Sequence, residues 1–195
     1  MRAEDDGAAD DGAADPSVRA PEGYPLALVS ELETIDHMRL WVRPIRPEDA
    51  DGLVVFHAGL SARSVYRRYF FSHPRLSPTE IERFTRVDYR DRLALVVEDH
   101  GNLIGVARYE RQEGTTAAEV AFVVADEFQH HGIGTVLLKR LAEAAWTTGI
   151  RSFEAETLSE NRAMLDVFLH SGFPVSTTAS GGTVSVRFSI DPGGT

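Results

Sequence analysis

The chain contains no cysteine, which excludes disulfides, thiolate metal sites and cysteine nucleophiles together. No apolar run approaches the roughly 20 residues that a membrane-spanning helix needs. The first residues are acidic, where a secretory signal is basic and then apolar, so a cytoplasmic protein is expected. Positive charge is also short: 20 Lys and Arg face 30 Asp and Glu, a formal net charge of −10. Nonspecific nucleic-acid binding needs a basic surface to displace counterions, so neither a nucleic-acid nor a membrane partner is expected. Internal repeats and long linkers are missing as well.

What is present fits one well-buried domain at 195 residues, with 43% hydrophobic and 26% charged residues. Much of the acidity is concentrated at the start, where Glu4, Asp5, Asp6, Asp10, Asp11 and Asp15 lie among Ala and Gly. A segment with no apolar face cannot bury itself, so residues 1–23 read as a disordered acidic tail and 24–195 as the domain.

Leu26 to Thr34 reads as a strand or extended arm, and Met38 to Ile45 as a strand whose Pro44 marks an edge or an end. Arg46-Pro47-Glu48-Asp49 opens a helix with Leu53, Phe56 and Leu60 on its buried stripe. Ser61 starts a second helix, and the capping box Ser77-Pro78-Thr79-Glu80 a third. Arg63, Arg67, Arg68, Arg83 and Arg86 on these helices form either a solvated face or a docking surface. Three consecutive antiparallel strands follow, Arg92 to Glu98, Leu103 to Glu110 and Ala117 to Ala125. A helix from about Gly134 to Thr148 then crosses over to a strand at Arg151 to Leu158, which is expected to run parallel to 117–125. A helix from about Asn161 to His170 and a closing hairpin complete the chain.

The most informative stretch is Glu119 to Leu138, where a β-branched strand passes through Gln129-His130-His131-Gly132-Ile133-Gly134 into a helix. The first N–H groups of a helix have no internal acceptor and carry the positive end of its dipole, a ready place for phosphate. Glycine lets the backbone approach a ligand without a Cβ in the way. Two nucleotide fingerprints fail here. The dinucleotide motif needs a third glycine where Leu137 stands and a turn directly after the strand, and the nucleoside-triphosphate loop needs Lys and Ser or Thr after its last glycine. A purely structural glycine turn stays open. The histidines show no metal-ligand clustering beyond the adjacent pair His130 and His131, which is expected to donate to phosphate or face solvent, so no metal is expected.

Gln129-x-x-Gly132-x-Gly134 between strand and helix, then Asn161-x-x-Met164 and Gly172-Phe173, resembles the acetyl-CoA site of the GNAT acetyltransferase superfamily. Within it, Arg43-Pro-Ile-Arg-Pro-Glu-Asp-Ala50, Arg75-Leu-Ser, Phe84-Thr-Arg-Val-Asp-Tyr89, Gly105-Val-Ala-Arg-Tyr109 and Glu119-Val-Ala-Phe-Val-Val-Ala-Asp126 are similar to bacterial Pat-type protein lysine acetyltransferases. The resemblance spans roughly residues 38 to 173. It implies an α/β (α+β) GNAT fold, a mixed, mostly antiparallel sheet flanked by helices, with acetyl-CoA in a splayed parallel strand pair. Its pyrophosphate is expected on the amides of His130, His131, Gly132, Ile133, Gly134 and Thr135, beside Gln129. Its pantetheine arm is expected along Phe122, Val123 and Val124, with Asn161 bonding an amide and Met164 packing on it.

The resemblance also implies a general base, Glu119, whose proton-accepting range burial in an apolar strand would raise. Glu156 on the neighbouring strand is the second candidate. A backbone N–H near Phe122 is expected to hold the oxyanion. Many relatives carry a leaving-group tyrosine seven residues after the asparagine, but this chain has Phe168 there. Protein lysines are the expected acceptors, in partners such as acyl-CoA synthetases of the acetyl-CoA synthetase type. A small-amine or antibiotic acetyltransferase and a non-catalytic acetyl-CoA sensor are the alternatives. The cyclic-nucleotide-binding domain that Pat-type chains sometimes carry is not expected.

Overall fold

A computed structural model describes residues 20–191; the acidic stretch up to Arg19 therefore lies outside the described residues. Eight strands form one sheet in the order β1-β2-β3-β4-β5-β6-β8-β7. They are β1 (Ser30–Glu33), β2 (Arg39–Pro44), β3 (Arg92–Asp99), β4 (Asn102–Arg111), β5 (Ala117–Val124), β6 (Ser152–Leu158), β7 (Val175–Ser180) and β8 (Thr183–Ser189). Every neighbouring pair is antiparallel except β5 and β6, which are parallel. That exception is the crossover expected from the sequence, made by the helix between them.

Five α-helices cover the sheet: α1 (Ala50–Gly59), α2 (Ala62–Tyr69), α3 (Pro78–Thr85), α4 (Ile133–Thr147) and α5 (Arg162–Leu169). Alternation along the strands divides the apolar residues between two layers. Leu93, Leu95 and Val97 of β3 join Leu137, Leu138 and Leu141 of α4 in the larger core. Ala94 and Val96 face the other way, onto Leu53 and Phe56 of α1. Both faces are covered, so Leu93 to Val97 is buried without interruption. The polar edge strand β7 is mostly exposed, which limits pairing with other chains. Among the described residues no helix is long and apolar enough to cross a membrane.

Several local expectations need adjustment. Leu26–Leu28 is a 3-10 turn, and the first strand begins only at Ser30. Pro44 lies past the β1 pairing, at the end of β2, where its missing N–H breaks no ladder bond to β1. The helix opened at Pro47 begins as a 3-10 turn through Asp49, whose carboxylate caps the turn by accepting from Arg46 N and also serves a second partner. It receives Nη1 and Nη2 of buried Arg43 at 2.8 and 2.7 Å, and Arg43 also reaches Glu98. This triad ties β2, β3 and the start of α1 together, a structural reason for the Arg43-to-Ala50 motif. The helix starts fall where they were read: Ser61 accepts from Ser64 N, and Ser77 and Glu80 form the expected capping box.

Candidate active site

The parallel pair β5 and β6 is hydrogen-bonded only at Ala117, Ala118 and Glu119, opposite Ser152, Phe153 and Glu154. Beyond that point the strands diverge, although β5 continues to Val124 and β6 to Leu158. The opening holds a cavity of about 420 Å³. Ala125 N donates to Ile104 O on β4, and Gln112 N to Ala117 O. By alternation, the odd-numbered residues of β5 spend their backbone groups on β4, while Val120, Phe122 and Val124 turn theirs toward the gap. The backbone of Val123 therefore does not face the gap as expected, although the residue is among those lining the cavity.

At the wide end, β5 passes through a 3-10 turn, Asp126–Phe128, into the glycine loop and α4. Gly132 caps α4 with φ of +83°, and a Cβ there would sit 3.2 Å from Ile35 Cγ2. Gly134 has a different reason: its Cβ would come 3.3 Å from Val167 Cγ2, so it lets α4 approach α5 closely. Among the described residues, none of the backbone N–H groups from His130 to Thr135 has an acceptor within the chain. Unpaired amides at the start of a 15-residue helix are the kind of donor that an anion takes.

Gln129, His130, Gly132, Ile133, Gly134 and Thr135 line the cavity at this end. The Gln129 amide is also a fastener, donating to Ser64 Oγ at 3.1 Å and Val124 O at 3.0 Å. Asp126 continues the same fastening by accepting from the N–H and hydroxyl of Ser61 and from the hydroxyl of Ser64. α2 is thereby held over the loop. The side chain of His131 is turned away while its amide stays unpaired. Its Nδ1 pairs with Asp36 at 2.9 Å, and its side chain does not line the cavity.

On the opposite wall, Asn161 is buried and caps α5 by accepting from Met164 N at 3.4 Å. Its amide nitrogen makes no hydrogen bond among the described residues, so a donor is left for a ligand. Met164 lines the same wall. Thr157, only 1% exposed, was not anticipated; the residue lines the cavity, and its buried hydroxyl has no partner. Burial of an unpaired hydroxyl is unfavourable, and the residue escaped notice because a threonine in a strand is ordinary. Phe168, at the leaving-group position, is buried against Phe122 and Phe188, with ring centroids 6.0 and 5.7 Å away.

Glu119 lies at the narrow end, on the cavity wall, in register with Glu110 of β4. It is exposed, contrary to the burial expected from its apolar neighbours. Those neighbours divide between faces: Ala118, Val120 and Phe122 are buried under α4, while Glu119 looks the other way, toward the open side beneath α2. Desolvation of this carboxylate must come from bound substrates. Glu156 also lines the cavity. Glu154 is committed elsewhere, to Gln112 and Arg187. A carboxylate at the end of a channel with an anion cradle at its mouth can take a proton from a nucleophile attacking an extended, phosphate-bearing donor.

Residues 39–174 match the family described as acetyltransferase (GNAT) domain. The chain belongs to the GNAT acetyltransferase family. This GNAT chain is 34% identical over 127 residues to acetyltransferase Pat of Mycolicibacterium smegmatis, covering 64% of the chain and 38% of that protein. It thus spans about two fifths of the length of that relative. It is 29% identical over 147 residues to acetyltransferase PA5475 of Pseudomonas aeruginosa, covering 73% and 79%. The crystal structure of the GNAT domain of S. lividans PAT superposes with a TM-score of 0.80 at 35% identity, covering 85% of this chain and 99% of that one. An acetyltransferase from Salmonella typhimurium shares the fold at a TM-score of 0.62 and 19% identity, covering 80% and 96%, and was solved with its cofactor acetyl-CoA. Acetyl-CoA is the cosubstrate of this family, and the unpaired amides, the two glycines and the free Asn161 donor fit it.

Proposed function

We propose that this GNAT acetyltransferase acetylates the side-chain amines of protein lysines, in partners that include acyl-CoA synthetases of the acetyl-CoA synthetase type. The observation that carries this reading is the 35% identity to the S. lividans PAT domain over nearly all of that domain, joined to the placement of Glu119 on the cavity wall. Acetyl-CoA supplies an acyl group already activated as a thioester.

The chain's own residues would do the rest. The amides of 130–135 and the dipole of α4 would hold the pyrophosphate without any lysine. Phe122 and Val124 would offer backbone groups along the gap, and Asn161 and Thr157 would bond from the opposite wall. A lysine at pKa about 10.4 arrives charged, so Glu119 would accept its proton, directly or through water, as the neutral amine attacks. The N–H of Phe122, turned into the gap, would meet the developing oxyanion. Phe168 has no proton to give, so the departing thiolate takes one from water. Holding both reactants in one channel lowers the barrier further through proximity.

The test is to incubate the purified chain with isotope-labelled acetyl-CoA and a cell lysate, then map acetyl-lysine by mass spectrometry. Labelled lysines on a limited set of proteins, synthetases among them, are expected. Consumption of acetyl-CoA by free amines with no labelled protein would replace the reading with a small-amine acetyltransferase.

A further inference from the structure

Most arginines near the sheet find acceptors, as expected in a chain with ten more acidic than basic residues. Arg83 makes two bonds to Glu110, Arg111 binds Asp91, Arg187 binds Glu154, and Arg140 and Arg151 reach carbonyl oxygens. Arg86 pairs with Glu82 one turn away. Exposed arginines such as Arg63 and Arg75 need only water.

Arg67, Arg68 and Arg108 differ. They are half-buried, and among the described residues none donates a hydrogen bond or lies within ion-pair distance of a carboxylate. Arg67 Nε is fully buried without a partner. Arg67 and Arg68 line the main cavity, and Arg68 with Arg108 lines a smaller hollow that adjoins it at Ala121 and Val123. Aromatic faces compensate in part, with Arg68 5.0 Å over the Tyr69 ring and Arg108 4.0 Å over Phe84, and the charges of Glu119 and Glu110 act on Arg68 and Arg108 only from beyond ion-pair distance. Burial, and then the neighbouring Arg68, push Arg108 down to about 9. Half-buried cations grouped with no carboxylate in direct contact are unfavourable unless an anion joins them.

Acetyl-CoA does not supply that anion at this place. Its phosphates belong at the amides of 130–135, where the Ser64 side of α2 is fastened to Gln129. Arg67 and Arg68 are one turn further along α2, toward Glu119, whose charge reaches Arg68. The thioester end of the donor is uncharged, so the anion must arrive with the acceptor.

We infer that Arg67, Arg68 and Arg108 form a carboxylate-binding subsite for the acceptor, selecting amines that carry a carboxylate close to the reacting nitrogen, above all a lysine flanked by an acidic residue. The guanidinium fork matches a carboxylate in two parallel bonds, which fixes orientation as well as charge. This inference rests on the cavity being the acetyl-transfer site and adds the acceptor's sequence preference to it.

The test compares acceptors in matched pairs: a peptide with lysine beside glutamate against the same peptide with glutamine, and free lysine against lysine amide. Released CoA thiol is followed with a thiol reagent, which the cysteine-free chain does not consume. Wild type should favour the glutamate peptide by about tenfold to a hundredfold in kcat/KM, the range for a hydrogen bond to a charged group. Arg67→Gln and Arg68→Gln should bring that ratio toward one, and Arg68→Lys should keep part of it. Acetyl-CoA affinity and melting temperature, measured on each variant, separate loss of preference from loss of fold. A preference confined to free lysine over its amide would keep the subsite and remove the protein-lysine reading. A ratio near one in wild type, or one that the glutamine variants leave unchanged, would overturn the inference.

Discussion

Glu119→Gln is the perturbation that bears most on the chemistry. Its side chain keeps its shape, the strand register opposite Glu110 and Glu154 does not depend on the carboxylate, and the residue is exposed. An exposed isosteric change should therefore move stability by no more than about 0.5 kcal/mol. Acetyl-CoA affinity should also hold, since Glu119 and Val124 are separated by roughly 16 Å of strand at about 3.3 Å per residue. What should fall is turnover. At pH 7.4 a lysine with pKa about 10.4 is neutral in only about one molecule in a thousand, and a positioned base contributes about 10²- to 10⁴-fold. The variant should lose that factor, about 3 to 5.5 kcal/mol in barrier, and the deficit should narrow as pH rises toward 10. Steady-state rates across pH, with calorimetric titration of acetyl-CoA, make the measurement. A variant that keeps a third or more of the wild-type rate would remove Glu119 from proton transfer, and a loss found in Glu156→Gln instead would move the role across the gap.

Two further outcomes follow from contacts around the site. Burial pushes the Asp126 carboxyl up, but the hydrogen bonds from Ser61 and Ser64 outweigh it and hold it below the usual aspartate range. Its contribution is thus complete above about pH 4, the unfolded value, and is lost as pH falls through the lower folded value. Asp126→Ala should cost about 1 kcal/mol at neutral pH, the low end for a charged hydrogen bond because the site faces solvent. It should raise KM for the acceptor more than for acetyl-CoA, and abolish the acid sensitivity of α2 protection that hydrogen exchange is expected to show in the wild type. Arg43→Ala should strand buried Asp49 without its cation and cost about 3 to 5 kcal/mol, lowering the melting temperature by roughly 10 °C, with scanning calorimetry as the check.

The strands and helices were legible because period and caps agreed with the fold nearly everywhere. Arg92 to Glu98 announced a strand, Ser77 and Glu80 announced a helix start, and the helix between 117–125 and 151–158 announced the parallel pair. The unpaired amides of the glycine loop were legible because they are consecutive at the start of a helix. What sequence alone could not give was orientation. Glu119 was expected to be buried because its neighbours are apolar, yet strand alternation turns it away from α4 and into the cavity. His131 reads like His130, but Asp36, distant in sequence, takes it out of the wall. Arg67 and Arg68 read as part of one arginine-rich face with Arg83 and Arg86, and only the packing of α2 against the splayed strands separates the paired from the unpaired.

The central claim is that the splayed cleft between β5 and β6, with the amides of 130–135 at its mouth, is where acetyl-CoA and the acceptor meet. Titrating ¹⁵N-labelled protein with acetyl-CoA and following backbone amide shifts tests it most directly. The account predicts saturable shifts largest at residues 130–135, with Phe122, Val124 and the Asn161 side-chain amide moving in step and β7 and β1 unmoved. Saturation with those amides unshifted, and the changes clustered elsewhere, would contradict it.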